Sequence, residues 1–162
     1  MEKNDHSLID MVLKKAGDAS FEKENYFDLN RITSAVLKTA DEAARRLLDV
    51  SFSIVDQAGN LYYFYRMPNA ILVSLTLSQK KAYTAVAMNE STINLYSKCQ
   101  PGEPLFQLET FSEGKIVTFG GGIPIRINNC LVGGLGVSGA PDPKEDDSLA
   151  KYWLKHLEFE DH

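Results

Sequence analysis

Val50-Ser-Phe-Ser-Ile-Val55-Asp-Gln-Ala-Gly-Asn60-Leu-Tyr-Tyr-Phe-Tyr-Arg66 is the stretch that decides the fold class. Its two flanks, Val50 to Val55 and Leu61 to Arg66, are rich in β-branched and aromatic residues, and Asp56 to Asn60 between them is turn chemistry. The spacing predicts an antiparallel hairpin. A second hairpin follows downstream, where Ile123 to Ile127 and Cys130 to Val137 are joined by Asn128-Asn129, a pair suited to the positive φ of a two-residue turn. Lys115 to Phe119 reads as a further strand ahead of Gly120-Gly-Gly122. Five strands joined mostly by short turns predict an antiparallel sheet.

Helical periods surround these strands. Asp28 opens a long helix towards Leu48 with Leu29, Ile32, Val36, Ala40, Ala43 and Leu47 on one face. Ile71 to Met88 has helix-compatible spacing, and Ser91 to Lys98 is a shorter helical stretch before the Pro/Gly-rich loop at Gln100 to Pro104. Asp146 is a candidate cap for a last helix carrying Leu149, Trp153 and Leu157 on one face. Near the N-terminus, Ser7-Leu-Ile-Asp10 resembles a capping box, with Leu8, Met11, Val12 and Lys15 at helical spacing and Gly17 as a stop. The order predicts an α+β domain over residues 26–162, preceded by an N-terminal helical extension over residues 1–25.

At 162 residues the chain fits a single domain able to bury its own core. Its 17 basic and 22 acidic residues leave a formal charge of −5, which gives no global attraction to nucleic acid or to an anionic membrane. Cys99 and Cys130 form no CxxC pair and read as two reduced thiols of a cytoplasmic protein. No secretory pattern marks Met1 to Ser20, and no apolar run approaches the roughly 20 residues of a transmembrane helix.

Several motifs carry chemistry only if their context supports it. Gly134-Leu-Gly136-Val-Ser-Gly139 matches GxGxxG, but Pro141 and Pro143 follow where a dinucleotide fold needs a helix. The alternative is that these glycines let another backbone or a ligand come close. Gly120-Gly-Gly-Ile-Pro124 is either an anion-binding nest or a sharp bend. Ser138, His156 and the acids Asp142, Asp146 and Asp147 are the ingredients of a hydrolytic triad without its nucleophile elbow. His6, His156 and His162 show no metal-ligand spacing. Arg66, Lys80, Lys81 and Arg126 are cations that can either pair with a ligand's carboxylates or reach for water.

Taken in order, Val55-Asp56-x-x-Gly59, Arg66-Met67-x-x-Ala70, Lys81-Ala82-x-Thr84-Ala85, Gly121-Gly122-Ile-Pro124 and Gly133-x-x-Gly136-Val-Ser-Gly139 followed by Asp146 resemble the GlcG/HbpS family. That haem-binding family also supplies the C-terminal domain of PduO-type proteins, and the resemblance covers about Asp28 to Leu157. It implies a profilin-like architecture, a five-stranded antiparallel sheet sandwiched by helices, assembled as a homo-oligomer. It implies haem or a related tetrapyrrole as ligand, in a setting of glycolate, glycerol or propanediol metabolism. The adenosyltransferase chemistry of PduO-type proteins belongs to a different, N-terminal domain. Carried over by position, Arg66 and Lys81 line a helix–strand face, and Gly121, Gly122, Pro124 and Ser138 shape its glycine-lined ends. None of the motif segments holds a histidine, so an iron ligand falls to His156, Cys99, Cys130, a tyrosine such as Tyr83 or a residue of the N-terminal segment, or haem is held by its face and propionates alone. The expectation is a non-catalytic tetrapyrrole-binding protein; the alternative is an enzyme or enzyme accessory acting on a small hydroxy-acid, diol or aldehyde.

Overall fold

The computed structural model describes residues 26–157. The expected helix at Ser7 to Gly17 lies outside them. The elements run α1 (Leu29–Arg45), β1 (Ser51–Asp56), β2 (Leu61–Arg66), α2 (Val73–Met88), α3 (Leu108–Phe111), β3 (Gly122–Ile127), β4 (Cys130–Ser138) and α4 (Pro143–His156), with two 3₁₀ turns, Thr92–Asn94 and Ser97–Cys99, between α2 and α3. Four strands form one antiparallel sheet in the order β2-β1-β4-β3. Helix α2 covers one face of the sheet, while α1 and α4 pack together against the other. Among the described residues no helix is long and apolar enough to cross a membrane.

Both hairpins form where the turn chemistry placed them, and Asn128 and Asn129 take φ of 48° and 65°. Asp28 caps α1 by accepting the Arg31 N–H at 2.8 Å. Helix α4 starts earlier than expected. Asp142 is its cap, accepting from Lys144 N–H at 2.9 Å, with Pro143 in the first turn. Asp146 is instead turned inward.

The sheet has four strands, not five. Lys115 to Phe119 is extended but joins no ladder, because side chains take its backbone donors. Ile116 N–H goes to Ser112 Oγ, Val117 N–H to Thr84 Oγ1 and Thr118 N–H to Glu109 Oε1, each at 3.0 Å. With those donors satisfied locally, the segment gains nothing by pairing with a strand.

Strand register separates two unlike faces. Phe52, Ile54, Ile123, Ile125, Leu135 and Val137 point towards α1 and α4, where they meet Ile32, Val36, Leu149 and Trp153 in one core. The face under α2 carries Ser51, Ser53, Gly122, Gly134, Gly136 and Ser138. Ser51 Oγ meets Ser74 Oγ, and Ser53 Oγ meets Ser78 Oγ, each at 2.8 Å. A Cβ on Gly136 would strike the Ser78 carbonyl oxygen, and one on Gly134 would stand 2.5 Å from the Ala82 carbonyl oxygen. The Gly134-Leu-Gly136 motif therefore brings a helix backbone onto the sheet, and no phosphate-binding helix follows it. This also explains why α2 lacks a large apolar stripe: its buried residues are Ser74, Ser78, Lys81, Ala82, Thr84 and Ala85.

The two sheet edges differ. Edge strand β3 contains Pro124 and a register shift between Ile125 and Arg126. Edge strand β2 has neither lysine nor proline and exposes Leu61, Tyr62 and Phe64, but its pairing with β1 slips at Tyr62, between Ile54 and Val55.

Replacing Gly136 with alanine is expected to lower the unfolding free energy by about 3 kcal/mol, read by urea denaturation. Adding Ser78→Gly should not restore it, since the obstructing atom is a backbone oxygen.

Candidate ligand site

Lys81 lies in the second half of α2, fully buried at 0% exposure, and Asp146 in the first turn of α4 is 2% exposed. Lys81 Nζ donates to Asp146 Oδ2 at 2.7 Å and to the Val137 carbonyl oxygen at 3.0 Å, and stands 5.1 Å from the centre of the Phe119 ring. Asp146 Oδ1 accepts the Ala140 N–H at 2.9 Å. Burial pulls the Lys81 ammonium below its ordinary pKa and pushes the Asp146 carboxyl above its own; their mutual attraction opposes both shifts. The pair ties α2 to α4 across the end of β4.

Glycines close that end. Gly121 has φ +118°, its carbonyl accepts Val137 N–H at 2.8 Å, and a Cβ there would stand 3.1 Å from Lys81 Nζ. Gly122 N–H donates to Thr92 Oγ1 at 2.9 Å. The Gly120-Gly-Gly122 segment is a bend filled by neighbouring protein atoms.

Of the other residues singled out from sequence, Ser138 is buried on the α2 face, where Ser51 pairs with it on one side and with Arg66 on the other. Arg66 and Ser138 thus stand about 10 Å apart in one row across the sheet. Arg66 is exposed, and its guanidinium donates to the Ala70 carbonyl oxygen at 3.2 and 2.7 Å, clasping the Met67-Pro68-Asn69 turn. Pro124 is half-buried opposite Gly134. Lys81, Gly121, Gly122, Ser138 and Arg66 therefore share one end of the sheet.

His156 stands apart from them. It ends α4, on the face away from α2, and its ring stacks on Tyr152 with centroids 4.3 Å apart. Its Nδ1 donates to the Tyr152 carbonyl oxygen at 2.8 Å, which leaves Nε2 as the lone-pair nitrogen. Thirteen residues of helix put it roughly 20 Å from the Ser138 end, so no Ser–His pair forms. Cys99 is half-buried, with burial raising its thiol pKa, and Cys130 is exposed at the β3–β4 turn. Among the described residues no cluster of three or more His, Cys, Asp or Glu is suited to a metal ion.

The outer side of α2 holds an open cleft of about 370 Å³ lined by Thr76, Gln79, Lys80, Tyr83 and Lys115. The Tyr83 ring is one wall. It packs so closely on the β1–β2 turn that a Cβ at Gly59 would stand 2.8 Å from it. The turn at Glu113-Gly114, with φ of 54° and 70°, brings Lys115 to the same cleft. The sequence shows Lys80 and Tyr83 one helical turn apart. Nothing in the sequence joins Lys115 to them except the glycine that permits this turn.

A family model described as haem degrading protein HbpS-like matches residues 27–155. The corrinoid adenosyltransferase PduO of Citrobacter freundii is 42% identical over 123 residues, 76% of this chain and 36% of that protein. The chain thus spans about a third of the length of that relative. Protein GlcG of Escherichia coli strain K12 is 26% identical over 109 residues, 67% of this chain and 78% of that one. The solved structure of a PduOC:haem complex superposes with a TM-score of 0.78 at 36% identity, covering 84% of this chain and 98% of that one.

Removing one member of the buried pair should be costly. Asp146→Ala leaves the Lys81 ammonium without its carboxylate and is expected to destabilise the fold by about 3–5 kcal/mol in urea melts. The double variant Lys81→Met/Asp146→Leu should recover most of that loss.

Proposed function

The chain belongs to the HbpS-like family of haem-degrading proteins, and from that premise we propose that it is a non-catalytic, oligomeric, cytoplasmic binding protein for haem or a related tetrapyrrole. The observation that carries the reading is the likeness to the PduOC:haem complex across most of the chain. The adenosyltransferase name belongs to a relative of which this chain spans only about a third, and we assign that chemistry no place here. The setting in glycolate, glycerol or propanediol metabolism rests on the resemblance to GlcG and PduO-type proteins. The profilin-like description is kept for helices arranged about the sheet, with four strands in place of five.

Haem, when bound, supplies a redox-active iron, a flat apolar ring and two propionates. The residues present offer two handles that suit it. His156 Nε2 carries a free lone pair with its partner nitrogen already donating to a carbonyl, the arrangement an axial ligand takes. The cleft on α2 offers an aromatic wall and two ammonium groups. These handles lie on opposite faces of the sheet, so one macrocycle on one protomer uses one of them. In this reading Lys81, Gly121, Gly122, Pro124 and Ser138 frame the ligand-bearing helix, and Arg66 holds the turn that leads into it.

Titration of the purified protein with haemin, followed through the Soret band against an unrelated acidic protein, tests the proposal. A saturable shift at one haem per chain is expected. A response no greater than the control's overturns the haem reading.

A further inference from the structure

We propose that the cleft on the outer face of α2 holds the carboxylate-bearing edge of the tetrapyrrole, with Lys80 and Lys115 on the carboxylates and the Tyr83 ring against the macrocycle. The inference rests on the haem reading above and assigns its site.

The cations come first. Lys81, Lys98 and Lys151 each meet a carboxylate at 2.6–2.7 Å. Lys80 and Lys115 meet none within ion-pair distance among the described residues, although the chain carries a net charge of −5. Glu109 of α3 is already engaged, its Oε1 accepting from Thr118 N–H at 3.0 Å and from Thr118 Oγ1 at 2.9 Å, and Glu113 on the turn itself is exposed and makes no ion pair with either lysine. Two unpaired ammonium groups on one cleft repel each other until an anion lies between them.

Their convergence is built into the backbone. Lys80 Nζ lies 3.8 Å from where a Cβ on Gly114 would stand, beside the turn that delivers Lys115. That turn is held by Gly114 N–H to the Glu109 carbonyl and Lys115 N–H to the Ser112 carbonyl, each at 3.0 Å. Val117 N–H on Thr84 Oγ1 at 3.0 Å then fastens it to α2 itself. A site ordered in advance loses little entropy on binding.

The wall is equally fixed. Tyr83 is pinned against Gly59, whose N–H donates to the Asp56 carbonyl at 2.9 Å, so the ring presents a steady aromatic surface. At about 370 Å³ the open cleft takes an edge of a macrocycle and leaves the remainder of the ring outside it.

Haemin titrations of the wild type, Lys80→Ala/Lys115→Ala, His156→Ala and the charge-matched control Lys144→Ala/Lys155→Ala test the site, with haemin dimethyl ester as a ligand lacking both anions. Both lysines reach solvent, and unchanged melting temperatures would show that the variants are folded. The cleft variant is expected to bind haemin about tenfold more weakly, while the charge-matched control binds as the wild type does. The dimethyl ester should bind wild type and cleft variant equally. A cleft variant within twofold of wild type overturns the assignment; if His156→Ala then abolishes binding, the ligand sits on α4 and the haem reading survives without this site. Wild-type protein that takes up no haemin overturns both.

Discussion

The close approach of α2 to the sheet is the constraint on which the rest of the structure depends. Helices normally stand off a sheet by the thickness of their side chains. Here Gly122, Gly134 and Gly136 remove that thickness on the sheet side, and Ser74, Ser78 and Ala82 reduce it on the helix side. The contacts that remain are backbone against backbone and hydroxyl against hydroxyl. Apolar burial is concentrated on the other face, where Phe52 meets Trp153 edge-on at 5.4 Å. One sheet therefore supports a conventional core on one side and a rigid, nearly side-chain-free joint on the other.

That joint determines where functional groups can stand. With its inner side flattened, α2 can bury a long side chain only at its flank, and Lys81 occupies that place beside the Gly121 bend. Its ion pair with Asp146 offsets the cost of burying two charges by mutual attraction and three further contacts, to Val137, Ala140 and the Phe119 ring. The pair joins helices from opposite faces of the sheet, a specific link that nonpolar packing alone would leave less directional. The outer side of α2 is correspondingly free to bear Lys80 and Tyr83.

The legible parts of the sequence were those in which local chemistry and tertiary need agree. Both hairpins, the capped α1 and the apolar faces of α1 and α4 follow from turn residues and periodicity. Lys115 to Phe119 has the composition of a strand and is not one, because Ser112, Thr84 and Glu109 satisfy its donors from outside any ladder. The last helix begins at Pro143, since Asp142 with a proline behind it is a better start than Asp146. At the site, the sequence identified Lys81 as a notable cation but could not show that it is buried, because its partner lies 65 residues away. His156 and Ser138 look close in composition terms, and a 14-residue helix keeps them apart.

The unequal edges of the sheet set a limit on how copies of the chain can add to one another. The β3 edge lacks a donor at Pro124, and the β2 edge, Leu-Tyr-Tyr-Phe-Tyr-Arg, is interrupted by a register shift that skips Tyr62. Neither side therefore offers a further strand an unbroken ladder. Strand-by-strand growth is stopped at both margins of the sheet, by a proline at one and a slipped register at the other.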